Sequence, residues 1–446
     1  MSTASLFIGG AKDRLLPPSV PFRFFGAATG FHVLFWLVLL FAAADLPGFT
    51  GGPGLVLAAL HLATLGVLAM TAMGAAFQLL PVATRQPLVR TWPARLSFWL
   101  FAPATLSLAY GMAEAAPGAL YLGGGGVGAG LAVFALLTAD NLRRAGSLPV
   151  VAAHGWLALA AAVGFTALGL LLVADLGAGF LGHRQTYAAA HMVLAAFGFM
   201  GALAFGFSHV LIPMFALSRA LPARPGWLEL ALTAAAVALA TWGLLGGYPA
   251  VVTFAALTGL AAAATYLWLM REAFRSRMRK RLGLSFVLIR ISWGFLILGL
   301  LTGLAVVLGA PLPNGPTLFG FLTLAGWLLT FLMGILQRIM PFLASMHATG
   351  KGGKPPSLSE LTAQLPLNIH ATGHVIALAL CAAGIVADAP VLVRLGAVCG
   401  LIGALSFAVF AAQVIIRISA AATAPRQGAP GLPPGFPPDS DPPSRR

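Results

Sequence analysis

Two histidines stand in long apolar segments at nearly the same distance before a proline. His61 lies 20 residues before Pro81, and His191 lies 22 residues before Pro213. Neutral imidazoles inside a membrane can be axial ligands of a haem iron, bind another transition metal, or form hydrogen bonds between helices. The residues alone leave all three roles open.

The spacing of these histidines predicts how they face each other. They are offset by two positions relative to the prolines, and two residues of an α-helix rotate a side chain by about 200°. We therefore expect His61 and His191 to point from nearly opposite faces of two matching helices into a shared pocket, in the outer half of the bilayer. Arg184, two turns before His191 on the same face, is placed to pair with a haem propionate.

A second group of histidines is expected near the cytoplasmic side. His370 and His374 are four residues apart and so share one helical face, which is a pairing that can hold a transition metal such as copper. Ordinary hydrogen bonding and proton transfer are the alternatives. The other members of this group are His154, His209 and His347, the last in a loop. His32, in the middle of the first apolar segment, is expected to face the protein interior.

The composition is that of a membrane protein. Of the 446 residues, 59% are hydrophobic and 8% are charged, whereas about a quarter of the residues in a soluble domain are charged. Apolar windows of roughly 20 residues, long enough to cross a bilayer, recur along the chain. The two cysteines, Cys381 and Cys399, lie in apolar runs and are predicted to be buried thiols.

The apolar segments predict an all-α polytopic membrane protein with twelve transmembrane helices. Lipid cannot satisfy backbone polar groups, and the segments are continuous rather than alternating, so the spans must be helices. The predicted spans are residues 22–44, 54–82, 96–112, 118–139, 149–174, 186–215, 227–246, 249–271, 284–309, 317–343, 366–386 and 390–416.

Basic residues predict the orientation of these helices. Short loops rich in lysine and arginine stay in the cytoplasm. If the N-terminus is cytoplasmic, almost all of the lysine and arginine residues lie in cytoplasmic loops, including the run 275–281. Topology and anionic lipid headgroups therefore explain the net charge of +15, and nucleic-acid binding is not expected. Residues 1–21 are predicted to be a cytoplasmic N-terminal segment, and the Pro-rich residues 417–446 a disordered cytoplasmic tail.

A threefold internal repeat underlies the membrane domain, residues 22–416. Three segments share a glycine, a second glycine eight residues later and a proline seven residues after that. These residues are Gly66, Gly74 and Pro81; Gly198, Gly206 and Pro213; and Gly326, Gly334 and Pro341. The copies are 132 and 128 residues apart, so we expect three four-helix repeats, at about 22–145, 146–280 and 281–416, in a pseudo-threefold bundle.

The arrangement resembles a known family. Twelve helices in three arcs, with His61, Met70, Met73-Gly74 and Pro81 in the second helix, look like the catalytic subunit (subunit I) of the haem–copper oxidases and nitric oxide reductases. A divergent member similar to the NnrS-like haem- and copper-associated proteins is the better comparison. The resemblance implies haem b held at His61, copper as a further candidate metal, and a cytochrome or quinol as redox partner. It also implies a multi-pass protein of the bacterial inner (plasma) membrane.

The sequence departs from the oxidase pattern at the oxygen-reducing centre. It has no adjacent His-His pair, and Phe319 and Phe321 stand where the repeat would place histidines in helix 10. No carboxylate is expected in mid-helix to relay protons. Oxygen reduction coupled to proton pumping is therefore not expected.

We predict instead a haem b-binding protein with His61 and His191 as axial ligands. It would serve electron transfer or a redox role linked to nitric oxide or copper. One alternative is a copper or haem transporter, although the expected absence of buried carboxylates argues against proton coupling. Another is an assembly or regulatory subunit without a cofactor.

Overall fold

The computed structural model describes residues 14–88, 90–348, 357–358 and 360–423. Within these residues the protein is all-helical, and twelve helices are long and apolar enough to cross a membrane. They are α1 (Pro21–Phe41), α2 (Leu55–Thr84), α3 (Trp92–Ala113), α4 (Pro117–Arg143), α5 (Pro149–Ala178), α6 (Arg184–Ala216), α7 (Ala223–Leu245), α8 (Pro249–Arg275), α9 (Leu284–Val307), α10 (Gly315–His347), α11 (Gln364–Val386) and α12 (Pro390–Thr423). The predicted all-α fold with twelve spans is confirmed.

The helix ends lie close to the predicted ends, with one exception. The last helix continues to Thr423, past the predicted end at residue 416, so residues 417–423 of the predicted tail are helical. Residues 424–446 of that tail, and residues 1–13 of the predicted N-terminal segment, lie outside the described residues. Proline stands in the first turn of many helices, where its missing N–H costs no hydrogen bond.

The three predicted repeats pack in the same way. In each repeat the first helix contacts the second, the second contacts the third and fourth, and the third and fourth form a close hairpin. The last helix of each repeat also contacts the first helix of the next, namely α4 with α5, α8 with α9 and α12 with α1, so the bundle closes into a ring. In its interior, α10 contacts both α2 and α6.

The repeated glycines let the second helix of each repeat lie against the first. A Cβ atom on the first glycine of each repeat would lie within 2.7 Å of a side chain of the first helix, closer than real side chains approach. The pairs are Gly66 with Phe31, Gly198 with Ala161, and Gly326 with Phe295. Such close approach is the usual way in which helices associate in lipid.

Each second helix also contains a π-helical stretch of eight residues, which the sequence did not predict. The stretches are Leu62–Ala69, Leu194–Gly201 and Leu322–Leu329, with the same 132- and 128-residue spacing as the glycines. π-Helical turns are rare and occur frequently at functional sites. Here they begin directly after His61 in α2 and three residues after His191 in α6.

Candidate functional site

The two predicted haem ligands lie beside each other where the π-helical stretches begin. The imidazole centroids of His61 on α2 and His191 on α6 are 6.4 Å apart, and the ring planes are inclined by 30°. Both rings are partly buried. The helices pack closely on α1 and α5, respectively, but only sparsely on each other. The two rings therefore face each other between loosely associated helices.

Backbone carbonyl groups orient both rings. His61 Nδ1 donates to the Leu57 carbonyl oxygen at 3.0 Å, and His191 Nδ1 donates to the Phe165 carbonyl oxygen on α5 at 2.8 Å. Because a carbonyl oxygen only accepts, each Nδ1 carries the hydrogen and each neutral ring keeps its lone pair on Nε2. No hydrogen bond within the described residues uses either Nε2 atom. Both rings thus have the tautomer of a metal-bound histidine whose second nitrogen is held by a carbonyl.

The separation of the rings suits one metal ion between them. Metal–nitrogen bonds of about 2 Å on each side place the centroids of two opposed imidazoles about 6 Å apart, close to the observed 6.4 Å. Gly169 on α5 makes room for this arrangement, because a Cβ atom there would lie 3.1 Å from His191 Cε1. The Phe165 ring packs edge-on against His191, with centroids 5.9 Å apart. This donor set fits the iron of a haem.

Arg184, the predicted propionate partner, is the first residue of α6. It forms an ion pair with Asp175 of α5. Its Nη1 donates to Asp175 Oδ2 at 2.6 Å, and its Nη2 donates to the Leu172 carbonyl oxygen at 3.2 Å. The Arg184 side chain is 31% exposed, whereas that of Asp175 is 4% exposed. The exposed part of the guanidinium leaves room for a second anion, which would share Arg184 with Asp175.

The second group of histidines predicted from the sequence does not form one cluster. His347 lies in α10 rather than in a loop, because this helix continues beyond Pro341. Its ring nitrogens contact the carbonyl oxygens of Leu343 and Leu16. The remaining histidines of the group form two separate sites, one on α11 and one shared by α5 and α6.

On α11, His370 and His374 stack with centroids 5.6 Å apart, and both face His32 of α1 at 5.8 and 6.4 Å. All three side chains are buried. One nitrogen of each ring has a hydrogen-bond partner, and these partners are Trp36, Gly403 and Thr330. The other nitrogen of each ring has none among the described residues. The metal predicted at His370 and His374 therefore stays a prediction, with His32 as an additional candidate ligand.

A buried carboxylate in the membrane domain corrects the sequence analysis. Glu229 of α7 is 0% exposed. It lies 2.9 Å from His154 Nε2 and 3.6 Å from His209 Nε2, and it accepts a hydrogen bond from Thr233. The expectation that no carboxylate is buried is therefore wrong. This contact could not be predicted, because Glu229 is 75 residues from His154 and lies near the start of a span, beside a basic loop.

No protein-family model matches the chain, and no curated protein is significantly similar to it in sequence. The resemblance to the haem–copper oxidase subunit therefore rests on the helix number, the threefold repeat and the residues of α2.

Proposed function

We propose that this protein is a haem b-binding integral membrane protein in which His61 and His191 are the axial ligands. The observation that carries the proposal is the pairing of two imidazoles from matching helices, 6.4 Å apart. Each has Nδ1 bound to a carbonyl and, among the described residues, no hydrogen bond to Nε2. A haem bound there would supply reversible one-electron chemistry. With protein ligands on both faces of the iron, electron transfer is favoured over binding of a small ligand.

The chain's own residues prepare the site before any cofactor binds. The Leu57 and Phe165 carbonyl groups fix the tautomer and direction of the rings. Arg184 supplies a positive charge two turns before His191, where a propionate would join its ion pair with Asp175. A redox role linked to nitric oxide or copper, with a cytochrome or quinol as partner, belongs to the same proposal.

The proposed setting is the bacterial inner membrane with both chain ends in the cytoplasm. The basic loops support this orientation, because almost all of the lysine and arginine residues would lie on one side. Large apolar side chains support the lipid contact. Trp99, Leu122 and Leu136 are 64, 72 and 72% exposed, as expected for the lipid-facing surface of a bundle.

The reduced-minus-oxidised absorption spectrum of the purified full-length protein tests the haem proposal. We expect a sharp b-type α-band and about one haem per chain. The band should be lost in His61→Ala and in His191→Ala, because iron with one imidazole ligand is no longer six-coordinate and low-spin. The control is His183→Ala, which changes an exposed histidine just before α6. A band that survives in both ligand variants would contradict the assignment.

A second candidate follows from the same geometry. Two imidazole rings at this separation also suit a cuprous ion with two ligands, and imidazole is a good ligand for copper. The protein would then handle or transport copper. Stoichiometric copper by mass spectrometry, without iron and without a haem band, would favour this candidate.

A further inference from the structure

A buried group of two histidines and one glutamate joins α5, α6 and α7. Its members are His154, His209 and Glu229, with side chains 1%, 7% and 0% exposed. Among the described residues it is the one set of histidine, cysteine and acidic side chains in which three ligand atoms lie within 4.8 Å of one another. His209 is 18 residues beyond His191 on α6, about four to five helical turns away, so the group is separate from the proposed haem site.

The distances in this group match those around a metal ion. Two ligand atoms, each about 2.1 Å from a shared metal, lie about 3.0 Å apart at a right angle and about 3.6 Å apart at 120°. Glu229 Oε2 lies 2.9 Å from His154 Nε2 and 3.6 Å from His209 Nε2. Both imidazole nitrogens thus lie at metal-bridging distances from the same carboxylate oxygen.

The contact between His154 and Glu229 requires a cation. His154 Nδ1 donates to the Val150 carbonyl oxygen at 2.8 Å, so in the neutral ring Nε2 has a lone pair directed at the carboxylate. Two lone pairs at 2.9 Å repel each other unless a proton or a metal ion lies between them. His209 Nε2, also buried, has no hydrogen-bond partner within the described residues. A metal ion would satisfy all three groups, whereas a single proton bridges only two.

Neighbouring glycines leave the space that the His154 and His209 side chains occupy. Gly206, the second repeated glycine of α6, lies where a Cβ atom would be 2.6 Å from His154 Cβ, and Gly226 lies similarly close to His209. In the first repeat, the matching Gly74 packs against Phe24 instead. The fold therefore accepts an apolar side chain at this position, and packing alone does not require a histidine there.

We infer that His154, His209 and Glu229 bind a divalent first-row transition metal ion that ties together α5, α6 and α7. Two imidazoles and one carboxylate suit zinc or ferrous iron and are unsuitable for calcium or magnesium, which prefer oxygen ligands. Thr233 donates to the second carboxylate oxygen at 2.9 Å and so fixes the direction of Glu229. The Val150 carbonyl does the same for His154.

Cobalt(II) titration of the purified, chelator-treated full-length protein tests this inference. We expect one Co²⁺ per chain with visible d–d absorption, and displacement of the cobalt by Zn²⁺. His209→Ala and Glu229→Gln should each weaken binding by at least about tenfold, the lower end of the loss seen when a supporting group is removed. His209→Ala removes no hydrogen bond of the described structure and is therefore the variant best able to fold.

Glu272→Gln is the matched control, because it changes a carboxylate of α8 that pairs with Arg275 and lies outside the group. Its cobalt affinity should equal that of the original protein. Helical circular dichroism and a single gel-filtration peak identify folded variants. Failure of the folded original protein to bind cobalt, or unchanged affinity in folded His209→Ala, would overturn the inference. The haem spectrum of the same samples reports separately on the His61–His191 proposal.

Discussion

The tautomers of His61 and His191 are decided by main-chain carbonyl groups, and this determines what the pair can bind. Each Nδ1 donates to a carbonyl oxygen, which leaves each Nε2 lone pair for a metal ion. The two histidines could be chosen from the sequence, because each lies about 20 residues before the proline of its repeat. The carbonyl partner of His191 could not be predicted, since Phe165 and His191 are 26 residues apart on different helices.

The space beside His191 depends on Gly169. Gly169→Val should push the imidazole from its position, because even a Cβ atom would lie 3.1 Å from Cε1. We expect haem affinity to fall by about tenfold, as when a supporting group is lost. Haem titration of the purified variant measures this. Gly259→Val, where the nearest atoms lie 3.8 Å from an added Cβ, should keep full affinity; equal affinities in the two variants would refute the steric role.

An exchange of ligand type gives a second prediction. His61→Met should keep a six-coordinate haem but raise its reduction potential, because a thioether ligand favours ferrous iron more than imidazole does. A spectroelectrochemical titration measures the potential. An unchanged potential would mean that residue 61 is not bound to the iron.

At the level of helices, the π-helical stretches set the rotation of the histidine-bearing ends of α2 and α6. The spans themselves could be predicted, since apolar length and the absence of charge are visible in the sequence. The π-helical stretches could not, because residues such as Leu62–Ala69 are as compatible with α-helix as with a wider turn. Their recurrence in all three repeats shows that they belong to the fold rather than to one site.

A one-residue deletion tests the function of the π-helical stretch in α2. Deleting Leu65 should return the stretch to α-helix and so change the rotation and height of His61 relative to the rest of α2. We expect haem binding to be lost while the protein stays folded. The matching deletion of Ala325 in α10, whose repeat positions carry Phe319 and Phe321, should leave haem bound. Loss of haem in both deletions would point to general disruption instead.

The repeated glycines give a prediction about stability. Gly66→Ala would place a Cβ atom 2.5 Å from the Phe31 ring, so α1 and α2 must separate. Overpacking of this kind costs about 1–3 kcal/mol, and thermal unfolding in detergent should show a lower midpoint. Gly30→Ala, with nothing within 4 Å of the added Cβ, is the control. A midpoint in Gly66→Ala equal to that of the control would contradict the packing role.

For the whole molecule, the closed ring of three repeats explains why one sequence pattern supports different sites. Each repeat presents the same helix positions, but histidines occupy them differently. The His61–His191 pair joins repeats one and two, whereas Phe319 in repeat three stacks on Phe197 with centroids 6.3 Å apart. The repeat could be found in the sequence because its spacing is regular. The buried Glu229 could not, since its partners come from two other helices.

The orientation of the ring in the membrane is a prediction of the basic loops. In a chain with Cys381→Ala and Cys399→Ala, a cysteine at Pro313 should react with a membrane-impermeant maleimide in intact cells. A cysteine at Arg277 should react only after permeabilisation, because its loop is predicted to be cytoplasmic. Both positions are exposed in the structure. The reverse pattern would invert the topology.

Electron paramagnetic resonance of the oxidised full-length protein tests the central claim most directly. Two histidine ligands with ring planes inclined by 30° should give the rhombic low-spin ferric signal of nearly parallel imidazoles. The signal should disappear in His61→Ala and in His191→Ala and remain in His183→Ala. A high-spin ferric signal, or a cupric signal without any low-spin iron, would contradict the claim that these two histidines hold a haem.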